Sequence, residues 1–211
     1  MTQQSELSPE TLDSNEMESR SLTLARMLSQ IFNPIFVTIA SYLLIGFQTP
    51  GETGLIWAGG IIAIQALPSA AYYLVRLRQG AFSDADVSVR HERNELYLFG
   101  TVAVLATIGL LLAFDAPRPF LALTVGMLGL GIICGLVNLS WKISMHGAAI
   151  GALATVALLY SNVLGMALWA CAVAVAWARV RTRNHTPRQV LAGFVAAAAV
   201  MTTAFLTLAS R

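Results

Sequence analysis

Seven apolar runs, at about residues 31–48, 54–75, 95–115, 119–139, 144–160, 162–179 and 187–209, follow one another with only short polar breaks between them. A bilayer core about 30 Å thick is crossed by on the order of 20 helical residues. Each run is therefore a candidate span, and the expected fold is all-α: a polytopic membrane helix bundle of about six to seven transmembrane helices. An ordinary soluble domain is excluded by composition, since 56% of the residues are hydrophobic and 11% charged, with a mean hydropathy of +0.68. Residues 1–30 are polar, with Glu6, Glu10, Asp13, Glu16, Glu18 and Arg20, and hold no apolar core of a secretory signal. They are expected to form a disordered cytoplasmic tail, with 31–211 as one transmembrane domain. Cys134 and Cys171 lie in apolar runs with neither a CxxC pair nor metal-ligand spacing, which points to buried packing residues.

The one sizeable polar loop, 76–94, holds Arg78, Asp84, Asp86, Arg90, His91, Glu92 and Arg93. Ser83 and Asp86 have the spacing of a helix cap, and Asp86 and Arg90 that of a favourable i,i+4 pair. Counting crossings places the amino terminus, this loop, the 139–146 junction and the 179–188 junction on one face. That face holds Arg20, Arg26, Arg76, Arg78, Arg90, Arg93, Lys142, Arg179, Arg181, Arg183 and Arg188, leaving Arg118 and Arg211 opposite. By the positive-inside rule it is cytoplasmic. Orientation and attraction to anionic headgroups suffice to explain any single arginine, so the cations imply no nucleic-acid partner. Gly126, Gly129, Gly131 and Gly135 include a GxxxG spacing and read as close helix packing.

Two helix starts on this face carry histidines. Ser144 has the place of an N-cap, which directs the N–H groups near Met145, His146 and Gly147 to a common point. Thr186, Pro187 and Gln189 have the spacing of a capping box with proline at the first position, and His185 stands just before it. Helix amino termini attract anions, and two histidines with several arginines suit a phosphate ester. Arginines neutralise its oxygens, one histidine can attack phosphorus, and the other can protonate the leaving oxygen.

The stretch 138–194 resembles the type 2 phosphatidic acid phosphatases, membrane enzymes that share a core with vanadium haloperoxidases. The family's last motif is Ser-Arg-x5-His-x3-Asp. Arg179 and His185 keep its spacing, with Ala178 in the place of the serine and Gln189 in that of the aspartate. The middle motif, Pro-Ser-Gly-His, is similar to Ile143-Ser144-Met145-His146. The resemblance implies catalytic roles for His185, as the nucleophile that forms a phosphohistidine, and for His146, as the general acid. It further implies phosphate binding by Arg179 and Ser144, an orienting role for the residue at Gln189, and no metal or other cofactor. The first motif, Lys-x6-Arg-Pro, has no match. Lys142, Arg90 and Arg93 are the substitutes on the expected face, and topology anchors are their alternative role. A glutamine orients a histidine but stabilises its cation poorly. Three outcomes stay open: a slower enzyme, recruitment of Asp84 or Asp86, or loss of catalysis.

The expected function is thus hydrolysis of a lipid phosphate monoester or an isoprenoid mono- or diphosphate, with a membrane lipid as the partner. The oligomeric state is left open. Two rivals stand beside it: a non-catalytic lipid-headgroup binder or transport component using the same pocket, and a metal-dependent prenyl or alcohol-phosphate transferase with Asp84, Asp86, His91, His146 and His185 as ligands.

Overall fold

A computed structural model describes residues 9–209, and all regular structure among them is helical. In order, the elements are α1 (Pro9–Ile31), α2 (Pro34–Gln48), α3 (Thr53–Ile61), a π turn (Ile62–Ala66), α4 (Leu67–Arg78), α5 (Arg93–Ala113), α6 (Arg118–Ser140), α7 (Met145–Tyr160), α8 (Asn162–Arg181) and α9 (Pro187–Leu208). An all-α bundle is what lipid demands of such a chain, because hydrocarbon offers backbone N–H and C=O groups no partner. Thr53–Arg78, α5, α6, α8 and α9 are each long and apolar enough to cross a membrane, and a sixth span is reached if the bent pair α1 and α2 counts as one. The chain is an integral membrane protein by this measure. The run at 31–48 yields a helix of only 15 residues, α2, which meets α1 at a 46° bend.

Residues 9–31 correct the expectation of a disordered tail, since they form helix α1. Its polarity does not prevent packing, because the helix lies against α8. Ala25 and Ser29 are buried there, Arg181 Nε donates to Ser21 Oγ at 3.1 Å, and Arg181 Nη2 donates to the Glu18 carbonyl at 3.3 Å. An Arg20–Glu16 i,i+4 pair at 2.6 Å supports the exposed side. Residues 1–8 of that expected tail lie outside the described part.

The helix starts follow local chemistry. Asn33 accepts from Ile35 N at 3.0 Å ahead of Pro34. Ser144 accepts from Gly147 N at 3.2 Å, and Ser161 from Leu164 N at 3.3 Å. Thr186 and Gln189 form the complete capping box that the sequence predicts, with Pro187 in the first turn. The centre of the bundle is α7, only 16 residues long and buried along most of its length between α8, α9 and α2. Small residues allow this: a Cβ placed on Gly193 of α9 would stand 2.8 Å from the Ser144 carbonyl. Gly126 likewise faces Met201, whereas a Cβ on Gly131 would meet nothing within 4 Å, so close packing does not account for Gly131. Cys134 is buried and Cys171 half-buried.

The segment between α4 and α5 is irregular rather than a short capped helix. Ser83 does not cap one: its N–H donates to Glu92 Oε2 at 2.9 Å and its hydroxyl to Oε1, which holds the Glu92 carboxyl below the usual range. Asp84 turns inward on its own loop, accepting from Asp86 N at 2.8 Å and from the Ser88 hydroxyl at 3.1 Å. Asp86 pairs with Arg179 instead of Arg90.

Candidate functional site

The spacing of Arg179 and His185 has a local structural cause. Where α8 ends, the Arg179 carbonyl accepts from both Asn184 N at 3.2 Å and His185 N at 3.1 Å. Arg183 takes the left-handed conformation, φ 57°, that lets the chain fold back. His185 is thereby returned to the end of the helix that carries Arg179, and α9 starts two residues later. Ser144 N donates to the Gln189 carbonyl at 3.2 Å, which ties the start of α7 to the first turn of α9. The two histidine-bearing helix starts are therefore neighbours.

Three loops close this end of the bundle through polar contacts. Asp86 Oδ2 accepts from Arg179 Nη1 at 3.1 Å and from Asn184 Nδ2 at 2.6 Å. Ser88 Oγ, which donates to Asp84, also stands 3.1 Å from Asn184 Oδ1. Arg93, which is buried, donates from Nε to the Val87 carbonyl at 2.7 Å and from Nη1 to the Ile143 carbonyl at 3.2 Å. Neither bond uses its Nη2. Asn138 Nδ2 donates to the Arg90 carbonyl at 3.0 Å, and Arg90 Nη1 returns to the Leu139 carbonyl at 2.8 Å.

A cavity of about 330 Å³ opens beneath these loops, and Asp86, Arg93, His146 and His185 line its polar end. Both histidines are buried, and each has one ring nitrogen without a partner, Nε2 of His146 and Nδ1 of His185. The backbone at Ser29 of α1 lies within hydrogen-bonding reach of the His146 ring, and the Gln189 side chain within reach of His185. Gln189 Oε1 also accepts from Thr186 N at 3.1 Å, so one amide completes the capping box and holds the histidine. Burial, then the charges of Arg93, Arg179 and Lys142, push His185 down to about 2. The imidazole is neutral, with a free lone pair, over the whole physiological range. Burial and the same two arginines push Lys142 down as well.

The remaining expected site residues stand at different depths. Arg179 is fully buried and lies behind Asp86, outside the cavity wall, with Nε unpartnered. Ser144 is buried as the cap of α7, its oxygen accepting and its O–H free to donate. Lys142 is half-buried beside Arg93 and Arg179. Arg90 is exposed, tied to the end of α6 and absent from the cavity wall, which leaves it the part of an anchor. Among the described residues no three His, Cys, Asp or Glu side chains group as metal ligands, and Asp84 and Asp86 have other partners.

Sequence reasoning gave no role to Asn184 or Asn138, and it missed the polar cluster of Tyr42, Gln65 and Thr124 inside the bundle. Tyr42 donates to Gln65 Oε1 at 3.1 Å and stands 3.2 Å from Thr124 Oγ1. A glutamine in the middle of an apolar run, three residues before Pro68, is the signal that could have revealed it. No family model, curated protein or solved structure matches this chain.

Proposed function

We propose that this protein is a membrane phosphatase that hydrolyses a lipid phosphate monoester or an isoprenoid mono- or diphosphate through a phosphohistidine on His185. The observation that carries the reading is the pair of buried histidines, each with an unpartnered ring nitrogen, that share one cavity wall with Arg93. Neutral His185 supplies the electron pair that forms the N–P bond while the bond from phosphorus to the lipid oxygen breaks. His146 relays to that oxygen the proton that a phosphate monoanion brings into the cavity, and is left as the base. Water then attacks the phosphohistidine, its proton passes to His146, and phosphate leaves with His185 neutral again. Arg93, on the cavity wall, offsets the charge on the phosphoryl oxygens, and Arg179 joins it where the phosphate displaces Asp86. The face carrying the loops is placed in the cytoplasm, following the cation distribution.

The two histidines separate by leaving group. His146→Ala should lose most activity on alkyl phosphates, by roughly 10²–10⁴-fold, and keep much of it on p-nitrophenyl phosphate, whose leaving oxygen needs no proton. His185→Ala should lose both activities and the acid-labile phosphoenzyme. Equal losses on the two esters in His146→Ala would overturn the assignment.

The headgroup-binder reading draws on two observations: Asp86 already occupies Arg179, and a neutral glutamine stands beside His185. Phosphate binding with no turnover on any ester would select it.

A further inference from the structure

The cavity does not end at the histidines. From Arg93, His146 and His185 it continues between α2, the π turn, α4, α5 and α6, as far as Val104 and Gln65. Val104 is eleven residues beyond Arg93 on α5, about 16 Å along the helix axis. Spread over that length, 330 Å³ leaves a cross-section of roughly 20 Å². Carbon atoms in contact stand about 4 Å apart, so a column this wide takes one hydrocarbon chain and not two side by side. A methylene fills about the space of a liquid water, roughly 30 Å³, which gives on the order of ten carbons.

Packed interiors leave few voids of this size, and two glycines keep this one open. Gly100 and Gly131 both line it, and a Cβ on either would meet nothing within 4 Å. Its inner end is polar. Gln65 sits on the π turn, a distortion that turns residues out of helical register, and its bond to Tyr42 engages only one side of the amide. The column also has a side opening. On one flank α4 is joined to α5 by the Tyr72–Phe99 stack, with centroids 4.1 Å apart, and by the Arg76–Glu95 pair at 2.9 Å. On the other flank α2 packs on α3 and the π turn but hardly touches α4. The outer sides of these two helices carry exposed Phe36, Leu67 and Leu74, the surface that meets lipid.

We propose that the column is the subsite for a single hydrocarbon chain attached to the phosphate. The chain enters sideways from the bilayer through the seam between α2 and α4 and reaches Gln65 after about ten carbons. This rests on the preceding reading that phosphate is held at the histidine pair, and it narrows the substrate to single-chain alkyl or prenyl phosphates over two-chain glycerolipids.

The test uses the full chain, purified in detergent, and non-hydrolysable n-alkylphosphonates of four to sixteen carbons, with binding read by titration calorimetry. Affinity should rise roughly fourfold per methylene to about ten carbons and then level off. Gly131→Leu, or Gly100→Leu, should move that break to shorter chains and leave butylphosphonate binding unchanged. Three results would overturn the subsite: affinity that climbs without a break, a break that neither variant moves, or dioleoyl phosphatidate binding as tightly as hexadecylphosphonate. Phosphate release from the matching alkyl phosphates is followed separately. A break in binding without any turnover sinks the catalytic reading and leaves the subsite standing. Turnover that ignores chain length, with no break in binding, does the reverse.

Discussion

Asp86 determines what Arg179 is free to hold. Its Oδ2 takes both Arg179 Nη1 and Asn184 Nδ2, so an anion entering the site competes with a carboxylate already present. Asp86→Asn leaves a buried cation without its counter-charge. Because the Asp86 side chain is 23% exposed, the loss should be about 2 kcal/mol, below the value for a fully buried pair. The same variant should bind inorganic phosphate more tightly than the parent. Thermal denaturation titrated with phosphate reads both effects, and an unaltered phosphate response would separate Arg179 from anion binding. His185 makes a second residue-level prediction. Between its folded value of about 2 and the ordinary value of about 6.5, the unfolded chain binds a proton that the folded chain does not. Stability is therefore complete above about pH 6.5, and each pH unit of acidification below that removes up to about 1.4 kcal/mol. His185→Gln should flatten this slope between about pH 6.5 and 4.5, measured by equilibrium unfolding in mixed micelles. An unchanged slope would mean that the histidine is already solvated in the native protein.

At the level of elements, the contact between α7 and α9 sets the geometry of the site, and Gly193 sets the contact. Its missing Cβ would stand 2.8 Å from the Ser144 carbonyl and 3.0 Å from Ala148 N, both backbone atoms that cannot swing aside. Gly193→Ala should cost roughly 1–3 kcal/mol and lower kcat more than it changes KM, because it moves the His146 helix start away from His185. Activity and unfolding midpoints measured on one preparation check this; a neutral substitution would mean that the two helices are free to separate. Helices of this kind are legible in a sequence, since a long apolar run and a Thr-Pro-x-Gln start are local facts. The capping box of α9 required nothing beyond residues 186–189. Helix α1 was not legible for the opposite reason. Its composition is polar, and what orders it is Arg181, 160 residues away from Ser21. The π turn was hidden in the same way, because only the cavity beside it shows what Gln65 faces.

Across the whole molecule, the loops that carry Arg93, Lys142, Arg179 and His185 meet at one end, while Arg118 begins α6 at the other. This motivates a topology prediction: single cysteines at positions 91 and 184, on a background lacking Cys134 and Cys171, should resist an impermeant reagent added outside cells and react in inverted vesicles. Labelling from outside would reverse the orientation. As for the candidate site, Arg179 and His185 were legible as a spacing, because the end of α8 converts that spacing into proximity through consecutive residues, whereas His146 is brought to them by the Ser144–Gln189 backbone bond. The carboxylate on Arg179 was not, since Asp86 comes from a loop 93 residues away whose path no local pattern dictates. Such separations also bear on how the protein is made. Ser29 leaves the ribosome early and Arg181 late, and α1 takes its place only against α8. At about 5–20 residues per second, roughly ten to thirty seconds of synthesis separate Ser21 from its partner Arg181. Only near the end of that interval are the first five apolar runs complete, and His146 is then made while the buried backbone of Ser29 still lacks the α8 surface that holds α1 in place. Of the residues that line the cavity only His185 comes from beyond α7, so a chain truncated before α8 would keep most of the cavity and the histidine of α7 but lack the partner histidine.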